Sequence, residues 1–179
     1  MTFYVEAYAP RNNYLFFDKR DYSQYLYLLT KLTSDCDFDL HAYSLLPSEV
    51  HLLMEVFRSD LSDIIQKLHM NYAIYFNKRH QLDGSVFDRP YKATPLFDET
   101  DFYEANRFIH LLPLKKNVTT SLYQYRWSSS REYLSPQSPD SPIHPFLTLE
   151  RTLRFFPSPS HEHFSTFLFF NEKGKTPTM

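Results

Sequence analysis

A carboxylate and an imidazole separated by one residue, Glu49 and His51, lie in the stretch HAYSLLPSEVHLLMEVF at residues 41–57. Two short apolar runs flank Leu46-Pro47-Ser48-Glu49, and Pro47 and Ser48 mark a turn between them, so the stretch reads as strand, turn, strand. Alternation along the second strand puts Val50, Leu52 and Met54 on one face and Glu49, His51, Leu53 and Glu55 on the other. A carboxylate and an imidazole side by side on one face can converge on a single cation. Alone the pair is a weak signal, because a Glu-x-His on a strand is more often two solvated polar residues.

The surrounding residues add to it. Leu46-Pro47, Val50 and His51-Leu52-Leu53 resemble the His-hydrophobe-His signature of the single-tyrosine HUH transposases, Leu/Met-Pro-Asn-His-hydrophobe-His-Leu-Leu, with Ser48 in place of Asn and Glu49 in place of the first His. Further along, Asn71-Tyr72-x-x-Tyr75-Phe76-Asn77-Lys78-Arg79-His80 resembles that family's Tyr-x-x-Tyr-Phe-Asn-x-x-His helix, and Gly84-Ser85-Val86-Phe87-x-x-x-Tyr91-Lys92 its Gly-x-Leu/Val-Phe-x-x-Arg-Tyr-Lys strand. Arg107-Phe108-Ile109-His110-Leu111-Leu112-Pro113 stands where the family has Arg-Tyr-Ile-His-Leu-Asn-Pro, and Tyr125-Arg126-Trp127-Ser128-Ser129 is similar to Tyr-Pro-Trp-Ser-Ser. These motifs fall in the expected order over about residues 3–134, and the nearest branch is the REP-associated tyrosine transposases.

The resemblance implies a chemistry. In such enzymes a tyrosine hydroxyl attacks a phosphodiester of single-stranded DNA and forms a 5′-phosphotyrosine link. A divalent cation (Mg²⁺ or Mn²⁺) polarises the phosphate. The strand histidines and an Asn or Gln four residues after the tyrosine, on the same helical face, hold that cation. Carried onto this chain, the nucleophile position is Phe108, which has no hydroxyl. The metal positions are Glu49, His51 and Leu112. A carboxylate at 49 is a competent ligand, but Leu112 cannot bind a cation, so weak divalent binding or none is expected. No other tyrosine fits the role: Tyr103 lies five residues before Phe108 and, at about 100° per residue, points to the opposite side of the helix. Tyr72, Tyr75 and Tyr91 read as packing residues.

Basic residues cluster locally although the formal charge is −2. Arg107, Lys115, Lys116, Arg126 and Arg131 fall in an acid-free stretch, and Lys78, Arg79, Arg89 and Lys92 in a second segment. If the two share a face, they form a phosphate-tracking surface beside Tyr91 and Trp127. The leading reading is a transposase-family protein that binds single-stranded or hairpin DNA and whose cleavage site has decayed. The alternatives are a domesticated regulator binding a DNA or RNA hairpin, a still-active transposase using Glu49 and His51 with a non-standard nucleophile, and a fold kept only for protein contact. A homodimer is compatible with each.

The elements that must position these residues follow from periodicity. Residues 3–17 read as a strand broken by a loop at 10–13, and residues 21–32 as a helix capped by Asp21. After the strand pair come a long helix at about 61–80 capped by Ser59 or Asp60, a strand over 86–97 whose Pro90 and Pro95 favour an edge or a bulge, and a helix opened by 98–101 that stops at Pro113. The order β-α-β-β-α-β plus a helix is the α+β, ferredoxin-like split β-α-β arrangement with an antiparallel sheet, the added helix carrying the nucleophile position. Residues 1–134 form the transposase-like domain. Residues 135–179 comprise a Pro/Ser-rich linker (SPQSPDSPIHP) and a short helical extension whose Leu153, Phe156, Phe167 and Phe170 pack back on that domain. The lone Cys36 excludes an intramolecular disulfide and, with no signal peptide or membrane-length apolar run, fits a cytoplasmic protein without a membrane partner.

Overall fold

The computed structural model describes residues 1–11, 13–134 and 146–170. The linker expected at 135–145, and the side chain of Phe170, lie outside that set. Four antiparallel strands, β1 (Thr2–Tyr8), β2 (Phe38–Leu46), β3 (Glu49–Val56) and β4 (Lys92–Leu96), form one sheet in the order β2-β3-β1-β4. This is the ferredoxin-like α+β arrangement.

Alternation divides the strands between two layers. Phe3, Val5 and Ala7 of β1 and Val50, Leu52, Met54 and Val56 of β3 pack toward α1 (Lys19–Asp35) and α2 (Leu61–His80). Burying a side chain of this size removes about 1.5–3 kcal/mol worth of apolar surface from water. Helix α1 contributes Tyr22, Tyr25, Leu26, Leu29 and Leu32 to that layer. On the opposite face, α3 (Glu99–Lys115) crosses β2 and β3 and buries Phe102, Tyr103 and Ile109 against Ala42 and Leu53. The sheet's second face therefore offers Tyr4, Glu6, Tyr8, Glu49 and His51 to α3.

Local chemistry sets the element ends, and four differ from the sequence expectation. Asp18, not Asp21, caps α1; Asp21 sits three residues in and accepts from the Phe17 and Asp18 amides, closing a capping box. The stretch at 13–17 is a loop rather than strand, with the Leu15 and Phe16 amides donating to the Pro47 carbonyl. Strand β4 is confined to Lys92–Leu96, because Pro90 falls outside it and Val86 and Phe87 are buried as a loop. Pro113 does not end α3: its missing N–H falls in the last turn, and the Pro113 carbonyl accepts from the Val118 amide at 2.9 Å.

The C-terminal elements close over this framework. Residues 127–129 bond to β2 through Leu45 and Tyr43, and Leu147 bridges Leu40 in parallel. Short helices α4 (Ser130–Leu134) and α5 (Glu150–Leu153) and the longer α6 (Ser160–Phe170) follow, with Leu153, Phe156 and Phe167 packed on the core. Among the described residues no helix is long and apolar enough to cross a membrane.

Candidate functional site

The β2–β3 turn delivers Glu49 and the pleat puts His51 on the same face, so their side chains meet: His51 Nε2–H donates to Glu49 Oε2 at 2.9 Å. The Tyr4 hydroxyl donates to the other ring nitrogen, Nδ1, at 2.7 Å, and the two rings stack with centroids 6.0 Å apart. An ionised Glu49 can only accept, so Nε2 carries the proton in that contact and Nδ1 is left to accept from Tyr4. Phe108 comes down from α3 onto the pair, its ring edge-on to Tyr4 at 6.0 Å and to His51 at 6.5 Å. Phe108, expected from sequence at the nucleophile position, thus packs beside His51 as an apolar ring. Leu112, one turn on, is buried.

Electrostatics at this end of the sheet come from paired ions. Lys116 Nζ donates to Glu49 Oε1 at 2.8 Å, and Lys92 Nζ donates to Glu6 Oε1 at 3.2 Å. Glu6 pairs across from His51 in the β1–β3 register, and Tyr8 across from Glu49. The His51 N–H, with Lys116, holds the Glu49 carboxyl down to about 2. Burial, then Glu6, pushes the Tyr4 hydroxyl far above its ordinary value, and the same causes push Tyr8 up to about 12. Lys115 Nζ lies 5.3 Å from the Phe108 ring centre. Tyr4, Glu6 and Tyr8 were not singled out from sequence. The signal for them was the complement of the Phe3, Val5, Ala7 alternation on β1.

The sequence-predicted cations separate into three groups. Lys92, Lys115 and Lys116 gather around the Glu49–His51 pair, joined at the end of β1 by the loop carrying Arg89, where the Asp88 amide bonds the Tyr8 carbonyl. Arg89 pairs with its neighbour Asp88 at 3.5 Å, and Lys78, Arg126 and Arg131 are exposed. Arg79 and Arg107 depart from the expected role. Arg79 bonds Asp18 at 2.6 Å and the buried Asp21 at 2.5 Å, locking the end of α2 to the start of α1 together with His80 and Tyr75. Arg107 donates through Nε to the Phe167 and Leu168 carbonyls, the open end of α6. Trp127 is no open platform either: Tyr22 stacks on one side at 4.6 Å, and the Arg126 guanidinium lies 5.1 Å from its ring centre. Tyr72 is buried, Tyr91 sits edge-on to His69, and Tyr103 faces Phe155.

Among the described residues two sites have the residue types to hold a cation, and the surroundings of each oppose one. At Glu49–His51, both ring nitrogens and both carboxylate oxygens are engaged, a lysine already neutralises the carboxylate, and Leu112 offers nothing. At the other end of the same face, Asp39, His41 and Glu55 bring ligand atoms within 4.8 Å of one another. His41 is the extra residue of a bulge in β2. Its Nε2 lies 3.1 Å from Glu55 Oε2, and that same oxygen accepts from Arg151 Nη1 at 2.7 Å. A guanidinium on the shared oxygen repels a divalent ion, so this cluster is an ion-paired clamp for the C-terminal segment.

Comparison with known proteins bears on the fold. No family model matches the chain, and no curated protein matches it significantly. A solved structure of a REP-associated tyrosine transposase bound to a REP hairpin superposes with a TM-score of 0.64 at 14% identity, covering 82% of this chain and 90% of that one. A candidate transposase of Deinococcus radiodurans R1 gives 0.44 at 12% identity over 68% and 92%, too distant to carry weight. The chain has a tyrosine-transposase-like fold.

Proposed function

We propose that this chain is a DNA-binding protein of the REP-associated tyrosine transposase kind, which binds single-stranded or hairpin DNA without cutting it through the inherited tyrosine. The observation that carries the reading is Phe108, edge-on to His51 at 6.5 Å. The helix still delivers its side chain to the Glu49–His51 pair, but no hydroxyl arrives there, while Lys92, Lys115 and Lys116 collect beside it. Support for the ligand class is that the structural neighbour is bound to a REP hairpin.

The test is fluorescence anisotropy with a library of DNA hairpins and single strands over a salt series. If about three to five cations touch phosphates, log K falls with log salt at a slope of about −2 to −4, from roughly −0.7 per contact on single strands. Replacing Lys115 and Lys116 with Ala flattens that slope, and Glu49→Ala leaves it nearly unchanged. Binding that stays undetectable at low salt across the library defeats the proposal and puts protein contact ahead. A second reading, cleavage by a non-standard nucleophile, is favoured by one contact, the Tyr4 hydroxyl 2.7 Å from His51. Against it, burial and the Glu6 charge hold that hydroxyl protonated. A covalent adduct on a denaturing gel that is lost in Tyr4→Phe would establish it.

A further inference from the structure

The Glu49–His51 pair has its positive charge built in. Glu49 and Glu6 are mostly covered, their side chains 13% and 14% exposed, whereas their lysine partners Lys116 and Lys92 are 48% and 70% exposed. The site is therefore layered, with anions underneath against the sheet and ammonium groups on top facing solvent. The two carboxylates occupy diagonal positions on paired strands, since Glu6 registers with His51 and Glu49 lies two residues away. Their lysines arrive from different elements, Lys92 from the start of β4 and Lys116 from the cap of α3. Lys115, over the Phe108 ring, adds a third cation to the same end. An anion approaching from solvent meets ammonium groups before it meets either carboxylate.

We infer that Lys116 is a tethered replacement for a divalent cation at Glu49–His51, and that with Lys92 and Lys115 it forms a metal-independent contact site for a DNA phosphodiester. The inference rests on the proposed function for the identity of the anion, and on the ion pairing alone for the replacement of the metal. An ammonium suits the task of binding without cleavage. It neutralises the carboxylate and donates to phosphate oxygens as a point charge. It does not supply the multiple fixed coordination positions by which a bound ion orients attacking and leaving oxygens. Covered glutamates also hold the flexible lysine stems in place, which lowers the entropy lost when a phosphate docks.

Two arms test this on the full chain. In the first, calorimetry with MnCl₂ compares the unaltered protein with Lys116→Ala, Lys116→Ala/Glu49→Ala and the remote surface control Lys31→Ala. Mn²⁺ binding is expected to be absent in the unaltered protein and in Lys31→Ala, to appear in Lys116→Ala, and to vanish again in the double variant. Tight Mn²⁺ binding by the unaltered protein overturns the inference, as does failure of Lys116→Ala to gain any. In the second, hairpin DNA affinity is measured in Mg²⁺ and in EDTA. It is expected to agree within twofold, and Lys116→Ala to lose about 0.7 from the salt slope. A tenfold loss in EDTA overturns the inference. If no DNA binds at all, the proposed function falls and the phosphate contact with it, while the manganese arm still decides whether Lys116 replaces a metal.

Discussion

Arg151 is the residue whose removal separates a clamp from a metal site most sharply. Its side chain is 18% exposed, and it bonds Glu55 at 2.7 Å, Thr2 at 2.9 Å and Glu99 at 2.9 Å, with its guanidinium 4.1 Å from the centre of the Phe102 ring. Arg151→Met keeps the apolar stem and deletes the charge. The charge-assisted bond to the partly buried Glu55 contributes about 2 kcal/mol and the ring contact about 1 kcal/mol. The exposed Glu99 pair is discounted to about zero. The sum is about 3 kcal/mol, which for a chain of this size lowers Tm by about 6–12 °C. Urea and thermal melts with and without MnCl₂ measure it. A loss below about 1 kcal/mol would refute the clamp. So would an unaltered protein stabilised by Mn²⁺ through Asp39, His41 and Glu55, since that requires the ion to share an oxygen with a guanidinium.

Three further outcomes follow from the geometry. Phe108→Tyr alone yields no covalent DNA adduct in Mg²⁺ or Mn²⁺, because Leu112 and the Lys116–Glu49 pair still leave no place for the ion; an adduct band on a denaturing gel would show otherwise. Burial holds the His110 ring down to about 3, so it is neutral in the fold and takes up a proton only on unfolding below its ordinary value of 6.5. Its contribution to stability is full above pH 6.5 and is lost at about 1.4 kcal/mol per pH unit as pH falls from 6.5 toward 3; His110→Gln should show that much shallower a fall in urea melts at pH 7, 6 and 5, and equal slopes would sink the assignment. Arg79→Ala lowers the melting temperature while leaving the salt dependence of DNA binding unchanged, and a flattened slope would return Arg79 to the phosphate-contacting set.

Much of the architecture was legible because it rests on short-range pattern. The period-two alternation of residues 49–55 placed Glu49 and His51 together on the face away from Val50, Leu52 and Met54, and the structure agrees. Helix α2 falls at Leu61–His80 as its apolar spacing requires. What sequence could not supply were partners fixed by tertiary pairing. Nothing local tells that Lys116, 67 positions away, reaches Glu49, or that Arg79 turns inward to Asp21 across 58 positions. The role of the Ser128-Ser129 pair is likewise tertiary: Ser129 Oγ accepts from the Tyr43 amide at 2.9 Å and bonds the buried His110 at 2.7 Å, fastening α3 to the outer strand. Tyr4 was missed for a different reason, since an aromatic among so many aromatics reads as packing until its hydroxyl is seen on His51.

The covering of β2 has a consequence for assembly. That strand is one margin of the sheet, and it already bonds to residues 127–129 at one end and to Leu147 and Thr148 at the other. The opposite margin, β4, has five residues, one of them Pro95 without an N–H to offer. A sheet finished on one side and stunted on the other is a poor template for an added strand. A second copy of this chain therefore meets little unpaired strand backbone at either margin, and the Glu49–His51 face stays under its own α3.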